Sequence, residues 1–275
     1  MTVPHSRARW SECKKLSNNR SGSGHTFSYM PERRYLVLDI ETVLDWNLVR
    51  DVFGMDADAT QEQMREQIKT KYSSGFAPPP FHVPICIALI DVDWDTCKIA
   101  NAAVLENNDE KTLLQHFWKV ARHRKGSSVQ TTFVHFNGRS FDLPVLFYRS
   151  LKYRVPVLTT DRSRYSFESS HDICDDLAEF GAAPRPSLDL ISKLLGLPGK
   201  TDIQGSQVED LYLQGERGRI KDYCMEDALS TYHIWLTMKL VRGELTDEKY
   251  REAFETAATT VRACRSVTDN YFGGA

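Results

Sequence analysis

The 275-residue chain predicts an α/β fold with a mixed central β-sheet flanked by helices, and three observations carry that prediction. Strand-like apolar segments dominate the first half and helical periodicity the second, with crossovers between. An apolar share of 41% beside 26% charged residues is that of a chain that builds a core. No internal repeat breaks the pattern, so one domain accounts for it.

Residues 1–30 stand apart. They hold Arg7, Arg9, Lys14, Lys15 and Arg20 against a single acid, Glu12, and Ser and Gly crowd Ser17–Gly24. Without apolar periodicity this reads as a flexible basic N-terminal extension. It has no apolar stretch of the secretory kind. Its Arg- and Ser-rich composition fits an organellar transit peptide, a solvated tail or an upstream extension alike.

Arg34–Val43 (RYLVLDIETV) reads as a buried central strand, with Tyr35, Val37, Asp39 and Glu41 on one face and Leu36, Leu38 and Ile40 on the other. Residues 45–76 look partly helical, and Pro78–Pro80 end that stretch. Val83–Val92 and Lys98–Leu105 read as two strands with a turn near Asp93–Thr96. Asp109–Arg124 has the stripe of an amphipathic helix. Val129–Phe136 is a further strand, and Asn137–Asp142 turns it into a helix from about Leu143, with Pro144 tolerated in the first turn. Tyr165–Ile173 holds a short strand. Ser187 can cap a helix that buries Leu188, Ile191, Leu194 and Leu195 and ends at Gly196. Glu216–Val241 and Thr246–Cys264 read as long helices, and 265–275 as a frayed tail.

Composition narrows the function. Lys plus Arg number 35 and Asp plus Glu 37, a net charge of −2, which excludes a histone-like basic protein and an acidic disordered tail. No apolar run approaches the ~20 residues of a membrane span. The six cysteines (13, 86, 97, 174, 224, 264) show no C-x-x-C pair and read as reduced, mostly core thiols. These features predict an intracellular, most simply cytoplasmic, protein, with organellar import left open by the N-terminus.

Three motifs could carry chemistry. Asp39 and Glu41 project from one face of an otherwise apolar strand, with Cα atoms roughly 6.5–7 Å apart. Chance alone supplies about 5 such acidic pairs in a chain of this composition, so the context is the signal. Two like charges in a buried setting call for a proton or a cation. Asn137–Asp142 (NGRSFD) leaves the C-terminal end of a strand, where open α/β sheets place their sites. Asp142 there can be a helix N-cap, a metal ligand or both. Tyr223 and Asp227 are i, i+4 neighbours on a helix and point into one space.

Taken in order, D-x-E on a strand, N-x-x-x-F-D at a strand-to-helix turn and Y-x-x-x-D on a late helix resemble the DEDDy-type 3′–5′ exonucleases of the DnaQ-like, ribonuclease H-like superfamily. The likeness is closest to the predicted exonucleases related to the proofreading domain of family-B DNA polymerases. Pro80-Phe81-His82, Ser187–Lys200, Gly205–Val208 and Tyr223–Trp235 extend it. The resemblance runs from about Met30 to Glu244, within a domain of residues 31–264.

The resemblance implies a ribonuclease H-like fold and a two-metal-ion hydrolysis that releases nucleoside 5′-monophosphates from the 3′ end of single-stranded DNA or RNA. It assigns Asp39, Glu41, Asp142 and Asp227 to two divalent ions, and hard oxygen donors suit Mg²⁺ or Mn²⁺. Tyr223, whose ordinary pKa of ~10 makes it a poor base, is expected to orient the attacking water. Substrate contacts are expected from Thr42, Asn137, Phe141 and Lys200, with Phe141 also a candidate for plain helix-start packing. His82 and His135 read as core histidines, and His171-Asp172 as structural or outer-sphere to the metals. The competing readings are a catalytically silent nuclease-fold module that binds nucleic acid or a partner, and a metal-free two-carboxylate hydrolase. No polymerase domain and no membrane contact are read from this chain, and its oligomeric state stays open.

Overall fold

In a computed structural model, the described residues are 32–124, 126–158, 165–197 and 203–265. The chain divides into Met1–Met30 and Pro31–Ala275, and all that follows concerns the second unit. The basic extension, Lys200 and the frayed tail lie outside the described residues, although the last helix runs to Arg265.

In chain order the elements are β1 (Glu32–Leu44), α1 (Trp46–Phe53), α2 (Gln61–Lys71), β2 (His82–Asp93), β3 (Ile99–Glu106), α3 (Glu110–Arg122), β4 (His123–Arg124), β5 (Ser127–His135), α4 (Asp142–Tyr153), β6 (Ser170–Asp172), α5 (Ile173–Leu177), α6 (Leu188–Leu194), α7 (Val208–Leu213), α8 (Arg217–Val241) and α9 (Asp247–Arg265). The sheet is mixed. β1 lies between β2, antiparallel with Leu38 opposite Leu89, and β5, parallel with Leu36 opposite Phe133. β3 extends the sheet beyond β2. On the far side of β5, β4 pairs with its start and β6, in parallel, with its end.

The two faces of β1 divide the core as the alternation predicts. Leu36, Leu38 and Ile40 pack with Phe117 and Trp118 of α3 and Val145 and Leu146 of α4. Val37 packs with Cys224, Ala228 and Trp235 of α8 and Ala253 and Ala257 of α9. Each fully buried Leu or Ile contributes about 1.5–3 kcal/mol. The face that carries Asp39 and Glu41 is therefore the face α8 covers. At the opposite end of β1, fully buried Arg34 pairs with Asp91 at 3.1 Å and anchors the end of α3.

The β1–β2 register slips once. Glu41 faces Cys86, but Thr42 faces Pro84, so Ile85 is an extra residue on β2. Proline cannot donate to a ladder, and a bulge is where a sheet tolerates it.

Two expectations need correction. The helix read over Asp109–Arg124 stops at Arg122, and His123–Arg124 pair with β5 instead. In α6, capped by Ser187 as expected, Leu188 and Ile191 are half-buried, but Leu194 is 76% exposed and Leu195 lies outward too. At about 100° per residue, Leu194 falls on the far side of the helix from Leu188 and Ser192. No helix among the described residues is long and apolar enough to cross a membrane.

Candidate active site

β1 ends with two carboxylates on one face, and α8 packs over that face. Oxygen atoms of Asp39 and Glu41 and the Cys224 sulfur lie within 4.8 Å of one another. Asp142 and Asp227 stand outside this compact group but close enough to repel Asp39. Burial, then Glu41, Asp227 and Asp142, push the Asp39 carboxyl well above the usual carboxylate range. Its Oδ2 is buried with no hydrogen-bond partner among the described residues.

Asp142 opens α4 as its first residue; Phe141 occupies the cap position and makes no side-chain capping bond. The N-cap reading of Asp142 is thus replaced. Its buried carboxylate accepts from its own amide and that of Ile40, which ties α4 to β1. Burial raises it to about 7, and nearby Asp172 adds to the shift.

On α8, Tyr223 hydrogen-bonds Asp227, and its phenol is pushed up by burial and by Asp227, Glu41 and Asp39. A phenol so placed keeps its proton at neutral pH and acts as a donor, not a base. Three stretches of chain thus bring Asp39, Glu41, Asp142, Asp227 and Tyr223 to one place. A divalent cation fits this set: the donors are hard oxygens, and its charge would relieve the repulsion that raises Asp39.

The turn from β5 into α4 is held from β6. Asp172 accepts the amides of Asn137 and Arg139, both at 2.9 Å, and that of Asp175 at 3.1 Å. Asn137 adopts φ +63, a conformation asparagine tolerates better than most residues. Its Oδ1 accepts from Ser140 Oγ at 3.0 Å and Arg185 Nη1 at 2.6 Å. The next residue must be small, because a Cβ on Gly138 would stand 2.6 Å from His135 Cγ. His135 is fully buried, bonded to Ser170 Oγ at 2.8 Å, and pushed down to about 4 by burial. His171 pairs with Asp176 at 2.7 Å, and Arg242 grips the same carboxylate. Both histidines and Asp172 are structural, as expected.

Beside the acids lies an aromatic platform. His82 is buried, and its ring nitrogens meet Thr42 Oγ1 and the Ala77 carbonyl, each at 2.9 Å. Phe76 stacks on His82 with ring centres 4.9 Å apart, and Phe141 meets His82 edge-on at 4.8 Å. Phe76 is 55% exposed. A cavity of about 700 Å³ runs between Asp39, Asp142, Asn137, Phe76 and Phe141. On the other side of Phe76, a cavity of about 390 Å³ is lined by Glu41, Thr42 and Gly205. A third, also about 390 Å³, joins Asp39 and Asp227 to Arg185.

The structure thus brings together every expected site residue except Lys200, which is not among the described residues. Phe141 packs against the core, as its helix-start reading expects, and also lines two cavities. Sequence reasoning missed Phe76, Arg185 and Cys224. Cys224 and Asp227 are i, i+3 neighbours, so the helical spacing that picked out Tyr223 and Asp227 also marked Cys224. Phe76 and Arg185 lie in loops with no periodicity to read.

No curated protein matches the chain. Among solved structures, a chain of an ExoI/SSB-Ct complex superposes with a TM-score of 0.45 at 13% identity, over 82% of this chain and 44% of that one; the present chain spans less than half its length. Residues 74–272, well over half the chain, match a family described as predicted 3′-5′ exonuclease related to the exonuclease domain of PolB. The match includes Asp142, Tyr223 and Asp227 and begins after β1. The mixed sheet flanked by helices is the ribonuclease H-like, DnaQ-like fold, and the chain belongs to this family of predicted 3′–5′ exonucleases.

Proposed function

We propose that the protein is a metal-dependent 3′–5′ exonuclease that removes nucleoside 5′-monophosphates from single-stranded DNA or RNA. The observation that carries the reading is the convergence of Asp39, Glu41, Asp142 and Asp227 with Tyr223 beside an open cavity of about 700 Å³.

Asp39, Glu41, Asp142 and Asp227 would hold two divalent ions, Mg²⁺ or Mn²⁺. Ions bound there supply positive charge against the phosphate oxygens and the attacking water. The Tyr223 hydroxyl, kept protonated by its acidic neighbours, would turn its one O–H from Asp227 to the attacking water and so orient it. Phe76 and Phe141 offer faces on which the last bases stack without regard to sequence. Thr42 and Asn137 line the cavities on either side of those rings and position the terminal nucleotide. Lys200 is proposed to contact a phosphate.

The test is digestion of a 5′-labelled single-stranded oligonucleotide. A ladder shortening from the 3′ end is expected with Mg²⁺ or Mn²⁺ and none with EDTA. Loss of groups that merely support a metal ligand costs about 10–100-fold, so Asp39→Asn and Asp227→Asn should each cost more than about 100-fold. Folded protein that leaves DNA and RNA 3′ ends intact in Mn²⁺ would falsify the proposal.

A further inference from the structure

Two buried thiols stand directly behind the acidic pair. Cys224 is fully buried, and its sulfur sits within 4.8 Å of oxygens of both Asp39 and Glu41. It donates to the Asp39 carbonyl oxygen at 3.4 Å. Cys86 is 2% exposed, faces Glu41 across the β1–β2 ladder, and lies within hydrogen-bonding reach of Cys224. Directly paired residues on antiparallel strands hold their Cβ atoms about 4.5–5.5 Å apart on the same face. One place thus joins the Cys224 thiol and two carboxylates from β1 and α8, with the Cys86 thiol of β2 next to Cys224, and the buried Asp39 Oδ2 has no hydrogen-bond partner among the described residues.

We propose that Cys224, Asp39 and Glu41, with the neighbouring Cys86 drawn in as fourth donor, form a binding site for a thiophilic divalent cation, Zn²⁺ or Cd²⁺. Two sulfurs and two oxygens are a donor set for Zn²⁺, whereas Mg²⁺ and Mn²⁺ prefer oxygen alone. Each thiol that ligates releases one proton to solvent. Asp39 lines two of the open cavities, which gives the ion its route in. The site shares Asp39 and Glu41 with the proposed nuclease centre, so an ion seated there withdraws both carboxylates from catalysis and inhibits it.

Cadmium titrated into the full-length, metal-free protein tests this through the ultraviolet charge-transfer absorption of the cadmium–thiolate bond. The band should appear and saturate at stoichiometric Cd²⁺. Cys224→Ser should remove most of it and weaken affinity at least about tenfold, and Cys86→Ser should weaken it less. Glu41→Gln leaves both thiols in place and should still lower affinity, so it decides the matter if a cysteine variant melts early. Cys13→Ser/Cys264→Ser should keep the band. A wild-type protein without the band, or a folded Cys224→Ser protein with unchanged band and affinity, overturns the proposal. These readouts need no substrate, so the nuclease reading and the thiolate site can fail independently.

Discussion

Thr42 and His82 are joined by a hydrogen bond of 2.9 Å whose direction is settled by a third group. His82 Nε2 faces the Ala77 carbonyl oxygen, which can only accept, so Nε2 carries the ring proton and Nδ1 accepts from the Thr42 hydroxyl. The ring that supports Phe76 and Phe141 is thereby locked in one tautomer and one orientation. His82→Ala should raise KM for a single-stranded oligonucleotide about tenfold, about 1.4 kcal/mol, with a smaller change in kcat. Steady-state digestion kinetics check the split; a fall in kcat alone would contradict it.

Phe76 should carry binding energy out of proportion to its place in a loop. Stacking of a base on an aromatic ring is worth about 1–3 kcal/mol. Phe76→Ala should weaken binding of a fluorescent single-stranded oligonucleotide by about 5- to 100-fold, and Phe76→Trp should restore it. Fluorescence anisotropy with an Asp227→Asn background avoids digestion during the measurement.

The grip of Asp172 on the turn before Asp142 connects fold to activity. Asp172→Ala strips the acceptor from three amides and leaves buried donors unpaired, which costs about 1–3 kcal/mol for each. Thermal melting should show a large loss of stability. Asp172→Asn keeps one acceptor oxygen, so it should melt higher than the alanine variant while activity drops about 10–100-fold.

Gly138→Ala should fail for a different reason. The added methyl would meet the ring of fully buried His135, and neither the ring nor the turn has room to yield. Overpacking of this kind costs about 1–3 kcal/mol. Gly138→Ala/His135→Ala should lose less stability than the sum of the two single changes, because the second removes the ring from the clash and leaves only the His135 Cβ at 2.9 Å.

Stability should depend on pH in opposite senses on the two sides of neutrality. His82, His135 and His233 are held below the ordinary histidine value by burial, the last two near about 4. The unfolded chain binds their protons first, so the stability they confer is present above about pH 6.5 and lost as pH falls below it. Asp39 and Asp142 are raised, the latter to about 7. Here the folded chain holds protons the unfolded chain does not, so each contribution is lost as pH rises through the folded value, about 7 for Asp142. In EDTA the melting temperature should therefore fall on both sides. Mn²⁺ should restore the alkaline limb, with a gain in melting temperature that grows from pH 6 to 8 and nearly vanishes in Asp39→Asn.

Much of this arrangement could be read from residue order. The two faces of β1 are written in strict alternation, and the i, i+4 spacing of Tyr223 and Asp227 survives folding unchanged because a helix sets it locally. What stayed hidden depends on partners remote in sequence. Asp142 looked like a cap until Ile40, about a hundred residues earlier, proved to supply one of its amides. Leu194 turns outward because helical rotation sets it away from Leu188 and Ser192, which hydrophobicity alone does not reveal. Phe76 gains meaning only when His82 and Phe141 stand beside it.

The extra residue at Ile85 sets the phase of everything before it on β2. Had Thr42 faced Ile85, Val83 would lie opposite Leu44 and His82 would point through the sheet toward the carboxylates. The inserted residue turns that segment by half a pleat and brings the imidazole round to Thr42. The aromatic shelf therefore depends on the bulge, and a change that let Ile85 pair regularly with Thr42 would dismantle it without altering any ring that forms it.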